Sequence, residues 1–263
     1  MTDTLPNRLA SEEPDAASVN DAVSLVPRFD ANTSFDDIVH QASQPNVRAI
    51  SFADGKSLAV SEIDRLVPCF TPGTAIATPR GEVPVESLKI GDRVITRDNG
   101  IQTITWASAR RLAHRHLQGR PELRPIRIKA GALGDGLPEQ DMLVSPTHRL
   151  LITSELAQLY FDQSEVLVSA KHMLAMDGVE IDKAPYITYI HFMCAKHEIV
   201  LSNGVWSESY QPSDFSLKGL DEDQRQEIFT LFPDLKTDHG VQEYNAARRT
   251  LKKHEADILL RQR

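Results

Sequence analysis

From about residue 69 to about residue 212 the chain runs as short hydrophobic segments rich in β-branched or aromatic residues, set between polar turn residues. TAIAT, RVITR, QTITWASA, PIRIKA, MLVSP, RLLIT, EVLVSA, YITYIHF and HEIVL each read as a short strand. Turn residues separate them, with Asp98-Asn99-Gly100 and Ser202-Asn203-Gly204 the strongest turn signals. Many short strands at close spacing predict an all-β sandwich or barrel-like body rather than βαβ units. The glycine-rich GALGDGLPEQ fits no phosphate-binding pattern and reads as an exposed connector.

The flanks differ from this body. Residues 1–33 are rich in Pro, Ser, Asn, Asp and Glu, show no sustained period and read as a disordered leader. Residues 34–68 form a small segment. FDDIVHQA fits a short helix, and VRAISFADGKSLAV reads as two strands hinged at Asp54-Gly55. After residue 212 the pattern turns helical. Asp221 with Gln224 three residues on is a capping-box start. Val241, Tyr244, Leu251, Ile258 and Leu259 then predict one amphipathic helix with Arg248, Arg249, Lys252 and Lys253 on a solvated basic face. The domain plan is therefore 1–33, 34–68, 69–212 and 213–263. Within the body, VPVESLKIGDRVIT and VLVSAKHMLAMDGVEIDKA share one order: strand, short helical turn, acidic-glycine turn, strand.

Composition narrows the function. A formal net charge of −8 over 263 residues argues against a general nucleic-acid or anionic-membrane binder. No apolar run reaches the length of a membrane span, and the amino terminus carries acids without an apolar segment. The default location is cytoplasmic, with signal-independent secretion left open. The two cysteines, Cys69 and Cys194, are too few for a disulfide scaffold or a four-cysteine zinc site. Cys194, inside YIHFMCAKHEIV, reads as a buried small hydrophobe, while Cys69 stands in a polar, turn-rich context. No metal or cofactor is expected.

Among nine histidines His148 stands out, in LVSPTHRLLI, behind a Ser-Pro turn and ahead of an apolar strand. His191 and His197 come next. Cys69 and His148 make a candidate nucleophile and acid/base pair. The resemblance that these residues carry is to the Hint family, the Hedgehog/intein autoprocessing module. Cys69 with its Pro-Gly-Thr turn and the following ESLKIGDRVITRDNG resembles the opening block. Ser145-Pro146-Thr147-His148 is similar to the T-x-x-H block, with Ser for Thr. HEIVLSNGVW (His197 to Trp206) resembles the closing block.

That resemblance implies a pseudo-twofold, horseshoe-like all-β Hint fold and an N→S acyl shift. In such a shift Cys69 attacks the carbonyl of Pro68, so Pro68–Cys69 is the scissile bond. A free cysteine is only about 3% thiolate at neutral pH, so the site must help. Ser145 and nearby amides are the expected donors to the oxyanion, and His148 the proton donor to the departing nitrogen. Thr147, Asp141 and His197 are possible helpers. Water or another nucleophile would then free residues 1–68, so the chain's own leader is the substrate. Where inteins end in His-Asn, this chain has Glu208-Ser209, which cannot cyclise to a succinimide. Single-turnover cleavage without splicing is the first expectation. A catalytically silent Hint-fold binding or structural module is the alternative, favoured by the restrictive ring of Pro68.

Overall fold

The computed structural model describes residues 67–217 and 220–260, together with strand residues 28–29, 49–52 and 57–59. The chain divides into two units, Met1–Val60 and Ser61–Arg263. In the first, β1 (Arg28–Phe29) pairs parallel with β2 (Ala49–Phe52), and β2 pairs antiparallel with β3 (Ser57–Ala59). β2 and β3 flank Asp54-Gly55. The leader proposed for residues 1–33, beyond β1, and the helix proposed for FDDIVHQA lie outside the described residues.

The second unit is built on β4 (Ala75–Thr78), β5 (Gly81–Pro84), β6 (Arg93–Thr96), β7 (Gly100–Thr103), β8 (Trp106–Leu112), β9 (Ile126–Ile128) and β10 (Met142–Val144). It continues with β11 (Arg149–Thr153), β12 (Glu165–Ser169), β13 (Val179–Ile181), β14 (Ile187–Met193), β15 (Ile199–Ser202) and β16 (Val205–Glu208). The largest sheet runs β12-β11-β16-β15-β4-β5, with β6 joining β15 and β7 pairing β6. β9 is sandwiched between β10 and β13, and β8 and β14 form a long antiparallel ribbon in unbroken register.

Local chemistry accounts for these elements. Ser202 faces Val205 across β15 and β16, and the intervening Asn203 and Gly204 both have positive φ (46° and 77°). That is the type I′ turn whose twist matches a hairpin, and Asn-Gly is its preferred pair. Burial along β12 and β14 is nearly continuous because these strands are covered on both faces. The internal echo has a structural counterpart: β5, a 3-10 turn over Val85–Ser87 and β6 are matched in order by β12, a 3-10 turn over Ala170–Met173 and β13.

Six helices complete the described chain: α1 (His114–Leu117), α2 (Glu155–Phe161), α3 (Asp214–Leu217), α4 (Glu222–Leu231), α5 (Asp238–Glu243) and α6 (Lys253–Leu260). α4 starts with the expected capping box, the Asp221 carboxylate accepting the Gln224 N–H at 2.9 Å. The single carboxy-terminal helix expected beyond Val241 is broken in two. The break comes from competition by the sheet edge. Leu167 of β12 donates its N–H to Arg249 and accepts from Leu251, so residues 249–251 run beside β12 as an extended segment. Of the basic face, Arg249, Lys252 and Lys253 are exposed, while Arg248 is drawn in to bridge Asp98 and Glu165; Arg249 also pairs with Glu255 and lies over the Phe161 ring. Covering an edge strand in this way blocks edge-to-edge pairing.

Two hydrophobic clusters meet at the segment that enters the domain. Phe70 belongs to one, with Ile76, Val94, Val144, Leu150, Val168 and Phe192. Cys69 belongs to the other, with Trp106, Tyr189, Met193, Tyr210 and Ile228 of α4. Alternation along an extended segment sends neighbouring side chains to opposite faces.

Candidate functional site

Residues 69 and 70 are stitched in from both sides. Phe70 exchanges both backbone hydrogen bonds with Ile190 of β14 (2.7 and 2.9 Å) and also bridges Val144 at the end of β10. The Cys69 carbonyl accepts the Ser145 N–H at 3.0 Å. Because Phe70 lies opposite Ile190, Cys69 lies beside His191. Sγ is 3.3 Å from His191 Nδ1 and 3.1 Å from the Val67 carbonyl oxygen.

Ser145 binds the Pro68–Cys69 peptide at its nitrogen. Its Oγ accepts the Cys69 N–H at 3.0 Å and its hydroxyl donates to the Val67 carbonyl at 2.9 Å. From the sequence, Ser145 is expected to serve the oxyanion of Pro68; in the structure its hydroxyl contacts the Cys69 nitrogen and the Val67 carbonyl. The turn Ser145-Pro146-Thr147-His148 is closed by the His148 N–H donating to the Ser145 carbonyl at 3.0 Å. The His148 ring is buried edge-on to Phe70, with centroids 4.5 Å apart, and neither ring nitrogen has a partner among the described residues. Thr147, in the same turn, is half-buried.

Burial sets the protonation states. It pushes the Cys69 thiol well above its usual range, opposed in part by the charge of Arg110. It also lowers His148 to about 4, and burial with Arg110 lowers His191 to about 3. Both imidazoles are therefore neutral at physiological pH. With its proton on Nε2, His191 presents a free Nδ1 lone pair to the thiol. A stack on Trp106 (4.9 Å, 19°) fixes the ring, and the Trp106 indole N–H donates to Glu227 of α4 at 2.8 Å.

These histidines also tie stability to pH. An unfolded histidine titrates near 6.5, so below that pH the unfolded chain binds protons that the folded chain refuses. The stabilisation is complete above pH 6.5 and is lost as pH falls towards 4. Urea unfolding at pH 7 and pH 5 is expected to differ by roughly 4 kcal/mol, and His191→Gln should remove about half of that difference. Equal stability at the two pH values would contradict neutral burial of the pair.

The other proposed helpers lie elsewhere. Asp141 is exposed, and its carboxylate accepts from the Ala130 N–H (3.0 Å) and Arg127 (3.1 Å), which hold it below the usual carboxylate range. It is a loop carboxylate with its own structural partners. His197 accepts the Ala247 N–H on Nδ1 at 2.9 Å, so its proton is on Nε2, which donates to Glu208 at 3.2 Å. Its partners are Glu208 and Ala247, not the thiol.

Glu208 is completely buried. It accepts from the Arg149 backbone N–H and Nε, both at 2.8 Å, and is ion-paired with the Arg149 guanidinium. Burial alone would lift its carboxyl, but Arg149 and His197 hold it down to about 2. Ser209 is locked as well: it pairs through its backbone with Glu198, and its Oγ accepts the Glu198 N–H at 3.0 Å. Glu208 and Ser209 together thus form a structural clamp.

Cys69, Ser145 and His148 were singled out from motif context; the structure puts the Ser145 hydroxyl on the Cys69 nitrogen and packs the His148 ring against Phe70. His191 could be ranked from sequence only as a secondary histidine. Trp106 and Arg110 carried no signal there, since their roles depend on strand register.

Among the described residues no group of three or more His, Cys, Asp or Glu side chains could hold a metal ion, and no helix is long and apolar enough to cross a membrane. Both cysteines are free thiols. A sequence model described as a Hint domain matches residues 68–214, more than half of the chain. No curated protein matches. Solved structures similar to the chain include a bacterial intein-like domain from Clostridium thermocellum, at 14% identity, covering 55% of this chain and 99% of that one with a TM-score of 0.35. Others are the MchDnaB-1 intein (10% identity, 53% and 98%, TM-score 0.34) and the gp41-1 intein (10%, 53% and 97%, TM-score 0.33).

Proposed function

Because the chain belongs to the Hint-domain family, whose members in general carry out autoprocessing or splicing, we propose that it breaks its own Pro68–Cys69 bond through a thioester and stops short of splicing. The observation that carries this reading is the contact set of Cys69: a neutral imidazole beside the sulfur and a hydroxyl on the scissile nitrogen. The leader is the substrate, and water or an added nucleophile completes the cleavage.

The steps balance as follows. His191 Nδ1 takes the thiol proton as Sγ attacks the Pro68 carbonyl carbon. A C–S bond forms and the carbonyl oxygen becomes an oxyanion. The C–N bond then breaks, and the Cys69 nitrogen leaves as an amine after gaining a proton, for which His148 is the source. The net change is an isomerisation with no proton gained or lost. At a folded pKa of about 4, roughly one His148 in a thousand is protonated at pH 7. Its scarcity is offset by its strength as an acid, since a low-pKa imidazolium gives up its proton readily.

Ser145 orients the peptide. By accepting the Cys69 N–H while donating to the Val67 carbonyl, it holds the bond on both sides of Pro68. Splicing would need a cyclising residue at the carboxy-terminal end, and Glu208-Ser209 supplies none.

Hydroxylamine at neutral pH tests the intermediate. It should convert the thioester into a fragment of residues 1–68 ending in a Pro68 hydroxamate, identifiable by mass. His191→Ala should slow its appearance by about 10²–10⁴-fold, the usual weight of a general base. Release at the wild-type rate in that variant would remove His191 from the reaction.

A further inference from the structure

Arg110 is a charge that the mechanism above leaves unused. On β8 it lies directly opposite Tyr189 of β14, and Ser108 lies opposite His191. Directly opposed residues of an antiparallel pair share a face, so Trp106, Ser108 and Arg110 share one with Tyr189, His191 and Met193. That is the face against which Cys69 packs. Arg110 is half-buried and makes no hydrogen bond or ion pair with any described residue.

A second arginine, on the segment that contacts Tyr189, has one unsatisfied nitrogen. Arg124 has a buried Nη1 without a partner, and the preceding residue, Leu123, accepts the Tyr189 hydroxyl at 2.9 Å. The field of Arg110 reaches Cys69 and His191, and together with Arg115 and Arg120 it also reaches His116. Unlike the thiol and both imidazoles, which are buried, Arg110 touches solvent.

We propose that Arg110 forms an anion subsite that brings a negatively charged nucleophile to the thioester. This rests on the processing reading. In the step concerned, an anionic thiolate attacks the Pro68 carbonyl carbon, the bond from that carbon to Cys69 Sγ breaks, and the Cys69 thiolate leaves and takes up a proton. Residues 1–68 depart as a thioester of the incoming thiol. Half-exposure favours a group arriving from solution over an oxyanion formed inside, and the two roles give different results.

The test compares release of residues 1–68 by mercaptoethanesulfonate (anionic), 2-mercaptoethanol (neutral) and cysteamine (cationic) at equal thiolate concentration. The anionic thiol should act about fivefold faster than the neutral one, the cationic thiol slowest, and the spread should shrink at 1 M salt as screening grows. Arg110→Gln should collapse the preference and Arg110→Lys should keep most of it. Equal rates for all three thiols with the wild-type chain overturn the proposal. So does an Arg110→Gln variant that is slower with every thiol yet keeps the preference, which is the signature of an oxyanion role.

A second measurement does not depend on cleavage. In the Cys69→Ala chain, unreactive ethanesulfonate should raise the melting temperature, and Arg110→Gln should abolish that rise; no Arg110-dependent rise contradicts the subsite. If no thiol releases residues 1–68 from the wild type, the processing reading fails, and this second arm alone decides whether an anion site exists.

Discussion

Cys69→Ala is expected to yield a chain that folds and never releases residues 1–68. The substitution removes the sulfur and with it the only atom that can form the thioester. No neighbouring group replaces it: Ser145 Oγ is committed to the Cys69 N–H and the Val67 carbonyl. Structurally the change is small. A buried side chain loses one atom and one weak S–H bond, worth about 1 kcal/mol, while the backbone bonds from Cys69 to Ser145 and from Phe70 to Ile190 stay in place. Cys69→Ser should be an intermediate case. A hydroxyl in the same position can form an ester, but it is a far weaker nucleophile without strong base assistance. Thermal unfolding alongside fragment mass separates loss of chemistry from loss of fold. A Cys69→Ala chain that still released residues 1–68 would place the nucleophile elsewhere.

Arg149→Met should have the largest effect on stability. It strips the completely buried Glu208 carboxylate of its guanidinium, leaving the Arg149 backbone N–H and the His197 N–H as partners. Breaking a buried ion pair by removing one member costs about 3–5 kcal/mol, which lowers the melting temperature of a domain this size by roughly 10 °C. Glu208→Ala should cost less. The freed guanidinium keeps the Thr250 hydroxyl and the Gln211 side chain, at 2.6 and 2.9 Å, and its side chain is 13% exposed. Removing both charges with Arg149→Met and Glu208→Leu should recover part of the loss, since an apolar pair is often no worse than a buried ion pair. Melting curves of the three variants test this order. Glu208→Ala losing more than Arg149→Met would reverse the assignment of Glu208 as the buried, dependent partner.

These two sites also show which features a sequence can display. Strand runs and turns were legible because β-branched composition and Asn-Gly chemistry are local. The type I′ turn at Asn203-Gly204 follows from two adjacent residues that tolerate positive φ. Cys69, Ser145 and His148 were legible because their neighbours form compact motifs. His191 was not, because its role depends on Phe70 pairing with Ile190, a register set 120 residues away by packing between the two hydrophobic clusters. The carboxy-terminal helix was overextended for a related reason. Helical spacing around Leu251 is present in the sequence, but the free edge of β12 claims that backbone first. Glu208 could be recognised as a departure from a splicing terminus, yet only the structure shows the departure filled by a clamp on Arg149.

The clamp and the thiol site together are what the proposed cleavage without splicing rests on. At the domain's amino-terminal edge a thiol, an imidazole and a hydroxyl surround one peptide bond, while at its carboxy-terminal edge the matching positions are tied down by an ion pair and a serine bridge.

The most direct test is the intact mass of the full-length wild-type chain, followed over time with and without a small thiol such as DTT. The 29.3 kDa species should decay into residues 1–68 and a fragment beginning at Cys69, faster with thiol. A chain that stays at full mass through prolonged incubation with thiol, while folded by its melting curve, contradicts self-processing and leaves a silent Hint-fold module in its place.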